Sequence, residues 1–353
     1  MTLLWVDGFE QYGASGNDCT VNSLETVYGV EASLYPASYE IVAGRSGSGN
    51  SLLLKVSQLT ELLTPALTTC TTIVAGAAFL VTNNGNVTSD VLTFRTGSTD
   101  GTTVGYDSLD IFTINGNLGI NRLGTTINIT TTNDVISANT WYYLEAKVYH
   151  HSASGTVEVK LNGTTVLTYS GNTIYSTSYP NYPMVGFRGV TANGWLYIDD
   201  FYVCDSVGST CNDFLGDCVV HTLYPDADVS GNMTPSTGTD LYAMVNTETI
   251  NIDTYISDTA TGNQAMFSYP ALPVTPNTVY GVQVTTVSML SGNLMKGVKH
   301  ISQNGVGSVN EHNTNPVWAL KPNSMSDCFE LDPDGNAWAP ATINGIHYGV
   351  EVG

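Results

Sequence analysis

"WLYIDDFYVCD", residues 195–205, sets two adjacent aspartates, Asp199 and Asp200, among Leu196, Ile198, Phe201 and Val203. Aromatic and β-branched residues suit a pleated, half-buried surface, so the stretch reads as a strand. Side chains alternate across a strand, which predicts one carboxylate facing inward and the other outward. An inward carboxylate can accept hydrogen bonds from exposed backbone N–H groups. A structural role is therefore expected for the pair, with calcium binding and catalysis as the competing uses.

Strands extend upstream from this stretch. "TWYYLEAKVYHHSASGTVEVKLNGTTVLTYSG" (140–171) reads as a three-strand meander that turns at "SASG" and again at Asn162-Gly163. Asn-Gly is the strongest short-range hairpin signal. "SLLLKVS" (51–57), "TTIVAGAAFLV" (71–81), "VLTFRTG" (91–97), "DIFTING" (110–116), "TTINITTT" (125–132) and "MVGFRGV" (184–190) have strand length and content. The best helical candidate is "SQLTELLTPAL" (57–67), which Pro65 interrupts. His150-His151 falls at a hairpin end and reads as solvated turn. The order predicts an all-β chain of two β-sandwich domains. The first spans residues 1–206, a polar connector spans 207–217, and a smaller sandwich spans 218–353. In the latter, "HTLYP", "DLYAMVN", "AMFSYPAL", "TVYGVQVTTVSML" and "KGVKHISQNG" are the expected strands.

Charge excludes some partners. The 353 residues hold 10 basic and 31 acidic side chains, a net charge of −21, which opposes binding to a phosphate backbone and so to nucleic acid. "MTLLWVDGFEQYG" lacks the basic start of a secretory signal, so folding is expected in the cytoplasm. No apolar run is long enough to span a bilayer, and membrane insertion is not expected. Six cysteines are too few for a disulfide scaffold. Cys204, Cys211 and Cys218 lack the close pairs of structural zinc sites, so free thiols are the leading expectation, with a local bridge in the connector as the alternative.

The motifs "WYYLEAKV", "GTVEVKLNGTTVL" and "GWLYIDDFYV" resemble the concanavalin A-like, laminin-G-like jelly roll. That resemblance implies that "WVDGFEQY" (5–12) supplies a first strand beside the closing one, with an inward aspartate capping N–H groups where the two meet. "DFLGDCVVHTLYPDADVSGNMTPSTGTDLYAMVN" (213–246) and "PNTVYGVQV" (276–284) are similar to virion proteins of tailed bacteriophages. This second resemblance implies a virion structural protein assembled in the host cytoplasm, a tail-fibre or baseplate component for host attachment. Its expected partners are itself, as a homotrimer, other virion proteins and a host surface glycan. A capsid decoration protein, or a carbohydrate-binding or glycan-degrading protein, is the alternative.

Chemical motifs are sparse. "DADVSG" places Asp226, Asp228 and Ser230 at the first, third and fifth positions of a calcium-loop pattern, but Thr237 stands where the bidentate glutamate belongs. Calcium is accordingly the one cofactor considered. Tyr175, Tyr179 and Tyr182 form an aromatic cluster suited to a subunit interface or to stacking on sugars. Glycosidases need paired carboxylates, and the nearest match, Glu330 with Asp332 in "FELDPDG", is broken by Pro333. "GRSGSGNS" (44–51) lacks the lysine of a phosphate loop. No nucleophile elbow or zinc helix occurs, so no catalytic residue and no enzymatic activity are expected.

Overall fold

The computed structural model describes residues 3–13, 21–28, 39–45, 47, 49–55, 60–68, 70–83, 89–97, 104–122, 125–131, 133–174, 182–189, 194–207, 210–248, 250–290, 296–312, 315–317 and 322–353. The chain forms two compact units, Met1–Val220 and His221–Gly353. It is almost entirely β, arranged in sandwich-like sheets as its strand and turn chemistry predicts.

Unit 1 begins with β1 (Leu3–Asp7), α1 (Val21–Tyr28), β2 (Tyr39–Ala43), β3 (Asn50–Lys55), β4 (Thr60–Leu63) and β5 (Thr72–Val81). It continues with β6 (Ser89–Gly97), β7 (Val104–Ile114), β8 (Asn117–Arg122), β9 (Thr125–Thr130) and β10 (Tyr142–Tyr149). It closes with β11 (Gly155–Leu161), β12 (Thr164–Gly171), β13 (Tyr182–Gly189) and β14 (Trp195–Asp205). One sheet runs β12-β11-β10-β5-β14-β3-β2, with β1 also paired to β14. The other runs β4-β13-β6-β7-β8-β9, and every pairing in both is antiparallel.

Alternation builds the core. Ile73, Ala75, Ala77 and Phe79 of β5 and Ile198, Phe201 and Val203 of β14 face Phe94, Ile111, Ile120 and Phe187 of the second sheet in one cluster. Phe187 and Phe201 meet edge to face across the sandwich, centroids 4.7 Å apart. The meander is present as β10, β11 and β12. Asn162 and Gly163 both take positive φ, 47° and 78°, as a two-residue hairpin turn of this hand requires. "WVDGF" does supply a strand beside the closing one. Its last residue, Asp7, is buried and accepts hydrogen bonds from the Tyr12 and Tyr28 hydroxyls and the Phe9 N–H.

Two local expectations are corrected. "SQLTELLTPAL" carries β4, not a helix, because Leu62 and Leu63 are needed against β13. The helix is α1, which buries Leu24, Val27 and Tyr28 at helical spacing.

Unit 2 contains β15 (Ala227–Gly231), β16 (Thr234–Pro235), β17 (Ile256–Ser257), β18 (Gln264–Ser268) and β19 (Val282–Ser288). Its remaining strands are β20 (Lys296–Asn304), β21 (Asn310–Glu311), β22 (Asn315–Val317), β23 (Asn323–Phe329) and β24 (Ile346–Val352). The main sheet is β15-β18-β24-β20-β21 with β22 on β20, and β19-β23 and β16-β17 are two-stranded. Phe329, Trp338, Ile346 and Tyr348 join β23 to β24, and Val282 and Val284 pack on them. "DLYAMVN" is not a strand: Tyr242–Met244 makes a single 3-10 turn.

Candidate functional site

The outer face of the six-stranded sheet carries an ionic row. On β6 the pairing with β7 shifts between Asp90 and Leu92, and Val91 and Leu92 both enter the core. The extra residue leaves Asp90 and Thr93 together on the outer face, beside Asp110 of β7 and Arg188 of β13. Arg188 Nη2 lies 2.5 Å from Asp90 Oδ2 and 3.0 Å from Asp110 Oδ2, so one guanidinium holds both carboxylates. The Thr93 hydroxyl donates to Asp110 Oδ1 at 2.9 Å. Along the row, Arg95 donates to Glu61 Oε1 of β4 from Nε at 2.6 Å and from Nη2 at 2.5 Å.

Burial grades along this row. The Asp110 side chain is 0% exposed and that of Glu61 25%, so solvent reaches the cluster from the β4 end. Burial, and next the Asp110 carboxylate, push the Asp90 carboxyl up to about 7 against the pull of Arg188. The site thus combines a carboxyl raised toward neutrality with two guanidinium donors and further carboxylate acceptors. Sequence reading missed this cluster. Its local signal was charge within mostly apolar strands: Asp90 and Arg95 in "SDVLTFR", Asp110 in "DIFTI" and Arg188 in "MVGFR".

Asp199 and Asp200 do not split inward and outward. The pairing of β14 with β5 shifts between Asp199 and Tyr202, while Ile198 and Phe201 both lie in the core. The two aspartates therefore occupy the place of one outward residue, and Asp200 adopts φ 50°. The Arg45 backbone N–H donates to Asp199 Oδ2 at 2.9 Å and the Val220 N–H to Asp200 Oδ1 at 2.7 Å. Arg45 Nε pairs with Asp200 Oδ2 at 2.5 Å and Arg45 Nη1 with Asp217 at 2.6 Å. Burial and the neighbouring Asp200 raise Asp199 to about 7.

These aspartates anchor the segment that follows β14, which returns over the outer face of its own sheet. Gly216 N–H donates to the buried Glu145 at 2.8 Å, and Leu215 N–H to the Tyr202 hydroxyl at 3.2 Å. Tyr202 in turn donates to Glu145 at 2.6 Å. Lys160 stands over the Phe214 ring at 3.9 Å. The connector is thus a strap stitched to unit 1.

The calcium pattern differs in form from a loop: Asp226 precedes a strand, and Asp228 and Ser230 lie within it. Both Asp228 oxygens accept amide bonds, from Leu241 at 2.8 Å and Tyr242 at 2.6 Å, and Asp226 accepts from Ser268. Among the described residues no group of three or more His, Cys, Asp or Glu is placed to hold a metal. Tyr175 and Tyr179 lie outside the described residues, and Tyr182 starts β13 opposite Gly97. Glu330 and Asp332 do not share a strand face: β23 ends at Phe329, and Asp332 closes a turn by accepting from the Asp334 and Asn336 N–H groups. His151 caps its hairpin turn through Nδ1, which accepts from Ala153 and Ser154. Among the described residues no disulfide joins Cys70, Cys204, Cys211, Cys218 or Cys328. No described helix is long and apolar enough to cross a membrane.

No family model matches the chain, and no curated protein does. Among solved structures it is similar to a glucuronan lyase from the fungus Trichoderma reesei, at 12% identity over 47% of this chain and 86% of that one, TM-score 0.35. An alginate lyase in complex with an alginate tetrasaccharide matches at 11% identity over 57% and 96%, TM-score 0.37. A carbohydrate esterase from a Shiga toxin-encoding bacteriophage matches at 14% over 47% and 86%, TM-score 0.35. These weak likenesses assign no residue a role. They do correct one expectation: the matched structures are mainly glycan-active enzymes, so a lack of enzymatic activity does not follow.

Proposed function

We propose that this protein is a glycan-recognising component of a tailed-bacteriophage particle, with the outer face of the six-stranded sheet as its glycan surface. The observation that carries this is the row Glu61, Arg95, Arg188, Asp90 and Asp110. Hydroxyl-rich ligands are oriented by a few fixed donors and acceptors, and here each is held by a charged partner. The chain has only ten basic residues, and two converge on this cluster. The strongly negative whole favours a neutral glycan over an acidic one.

Titration calorimetry with polysaccharide from the host surface tests the reading. Glu61→Gln, at the solvent end of the row, is expected to keep the fold and weaken binding about tenfold, or ~1.4 kcal/mol. Unchanged affinity in both Glu61→Gln and Arg95→Gln would move the glycan surface elsewhere.

One observation favours cleavage as a second reading of the same surface. Burial raises the Asp90 carboxyl toward the range of a group that protonates a leaving group at neutral pH, and its use on a glycan requires that binding displace Arg188, which holds it in this structure. Release of reducing ends, lost in Asp90→Asn with binding retained, would separate cleavage from binding alone. The particle assignment rests on the likeness of residues 213–246 to phage virion proteins. In this reading unit 2 attaches the protein, as a trimer, to the tail. Gold-labelled antibody on intact particles and light scattering of the purified chain are the tests. Label on the capsid shell would favour a decoration protein.

A further inference from the structure

Three side chains from three strands of unit 2 line up through hydrogen bonds. His300 of β20 is fully buried, with Nδ1 2.6 Å from Asp327 Oδ2 of β23 and Nε2 3.0 Å from Thr286 Oγ1 of β19. A carboxylate only accepts, so Nδ1 carries a ring proton, and when the ring holds no second proton Nε2 accepts from the Thr286 hydroxyl. We propose that Thr286, His300 and Asp327 form an acyl-transfer site for small carboxylic esters, with Thr286 as nucleophile, His300 as base and Asp327 orienting the ring.

Nucleophile, base and orienter are joined here in the order that activates a hydroxyl for attack on an acyl carbon. The surroundings fit that use. Thr286 is partly exposed while His300 is buried behind it, so substrate and water reach the pair from the Thr286 side, where Nε2 lies 3.0 Å from the hydroxyl oxygen. Among the described residues β19 pairs with β23 alone. Alternate backbone N–H groups on its other edge therefore point away from β23, where an oxyanion formed at Thr286 could accept from them. The γ-methyl of Thr286 flanks its own oxygen and His300 closes another side.

The chemistry balances with water as the second reactant. Thr286 Oγ adds to the ester carbonyl carbon while its proton passes to His300 Nε2. The ester C–O bond then breaks and the alcohol leaves with that proton, so the acyl group remains on Oγ. Water adds to the acyl carbon and gives one proton to Nε2. The acid departs as the Oγ–acyl bond breaks, and Oγ recovers its hydrogen from Nε2. One ester and one water yield one alcohol and one acid.

The test uses the full chain with p-nitrophenyl acetate, read by release of nitrophenolate and by intact mass. Hydrolysis above the buffer rate is expected, with an acetyl adduct that peptide mapping places at Thr286. Thr286→Val keeps the shape without the hydroxyl and should lose the adduct and roughly 10²-fold or more in rate. Thr286→Ser should keep both, and it decides the matter if the valine variant fails to fold. A valine variant with the wild-type rate, or a wild-type chain with neither adduct nor hydrolysis, would overturn the proposal. None of these variants touches unit 1, so failure here leaves the glycan surface standing.

Discussion

Replacing Asp200 separates the three things it does. It pairs with Arg45 at 2.5 Å where the side chains are 16% and 5% exposed, it accepts the Val220 N–H at 2.7 Å, and it tolerates φ 50°. Asp200→Asn keeps the acceptor and the tolerance but loses the charge. A hydrogen bond to a charged group contributes ~1.5–3 kcal/mol, and Arg45 retains Asp217, so about 2 kcal/mol is expected. Asp200→Gly also loses the acceptor and adds chain entropy, for about 3.5 kcal/mol in total. Asp200→Ala trades that entropy for a left-handed conformation that costs ~1–2 kcal/mol, giving about 4.5 kcal/mol. For a unit of this size each kcal/mol lowers Tm by ~2–4 °C. The three variants should therefore melt about 6, 10 and 13 °C below wild type in calorimetry. An alanine variant at least as stable as the glycine one would refute the backbone argument. An asparagine variant at the wild-type Tm would refute the ion pair.

Stability should fall as pH rises from about 4 to about 7 and level off above. Asp90 and Asp199 titrate near 7 when folded against 3.8 otherwise, so in that window the folded state binds more protons. Urea midpoints across the range measure the slope, and Asp90→Asn should flatten part of it. Gly76→Ala places a Cβ against the Tyr202 ring, 2.8 Å from Cζ, and Tyr202 is tethered to Glu145. Overpacking of this kind costs ~1–3 kcal/mol, and thermal melting should show it. Asp228→Ala should cost unit 2 about 1 kcal/mol through the two released N–H groups. Millimolar calcium should leave the melt unchanged, and a calcium-dependent rise erased by Asp228→Ala would instead establish an ion site.

Local chemistry was legible in the sequence. Asn162-Gly163 fixes a hairpin by backbone conformation alone, and the alternation in β10 and β11 names the core residues without reference to the rest of the chain. What failed was regularity. Strict alternation assigns Asp199 and Asp200 to opposite faces, and only the pairing with β5 reveals the additional residue. The ionic row was hidden by distance: Arg188 is 98 residues from Asp90 and 78 from Asp110, and each alone reads as a charge on a solvated face. "LETVY" was a missed local signal, since Leu24, Val27 and Tyr28 follow helical spacing. "DLYAMVN" misled in the other direction, because its apolar content serves a turn whose first amides are held by Asp228.

The bulge on β14 marks the point where that strand changes neighbours. On one side it stays with β5 throughout, but on the other it pairs with β3 through Trp195–Ile198 and with β1 through Phe201–Cys204. If Asp200 were deleted, Leu196, Ile198, Phe201 and Val203 would still alternate inward, and the ladder with β5 would become regular. The residue is therefore an insertion that the sandwich itself does not require. A shortened chain would keep its core and lose the mooring of the strap. A change in the length of this strand would leave the inward alternation intact and be felt by the segment that leaves it.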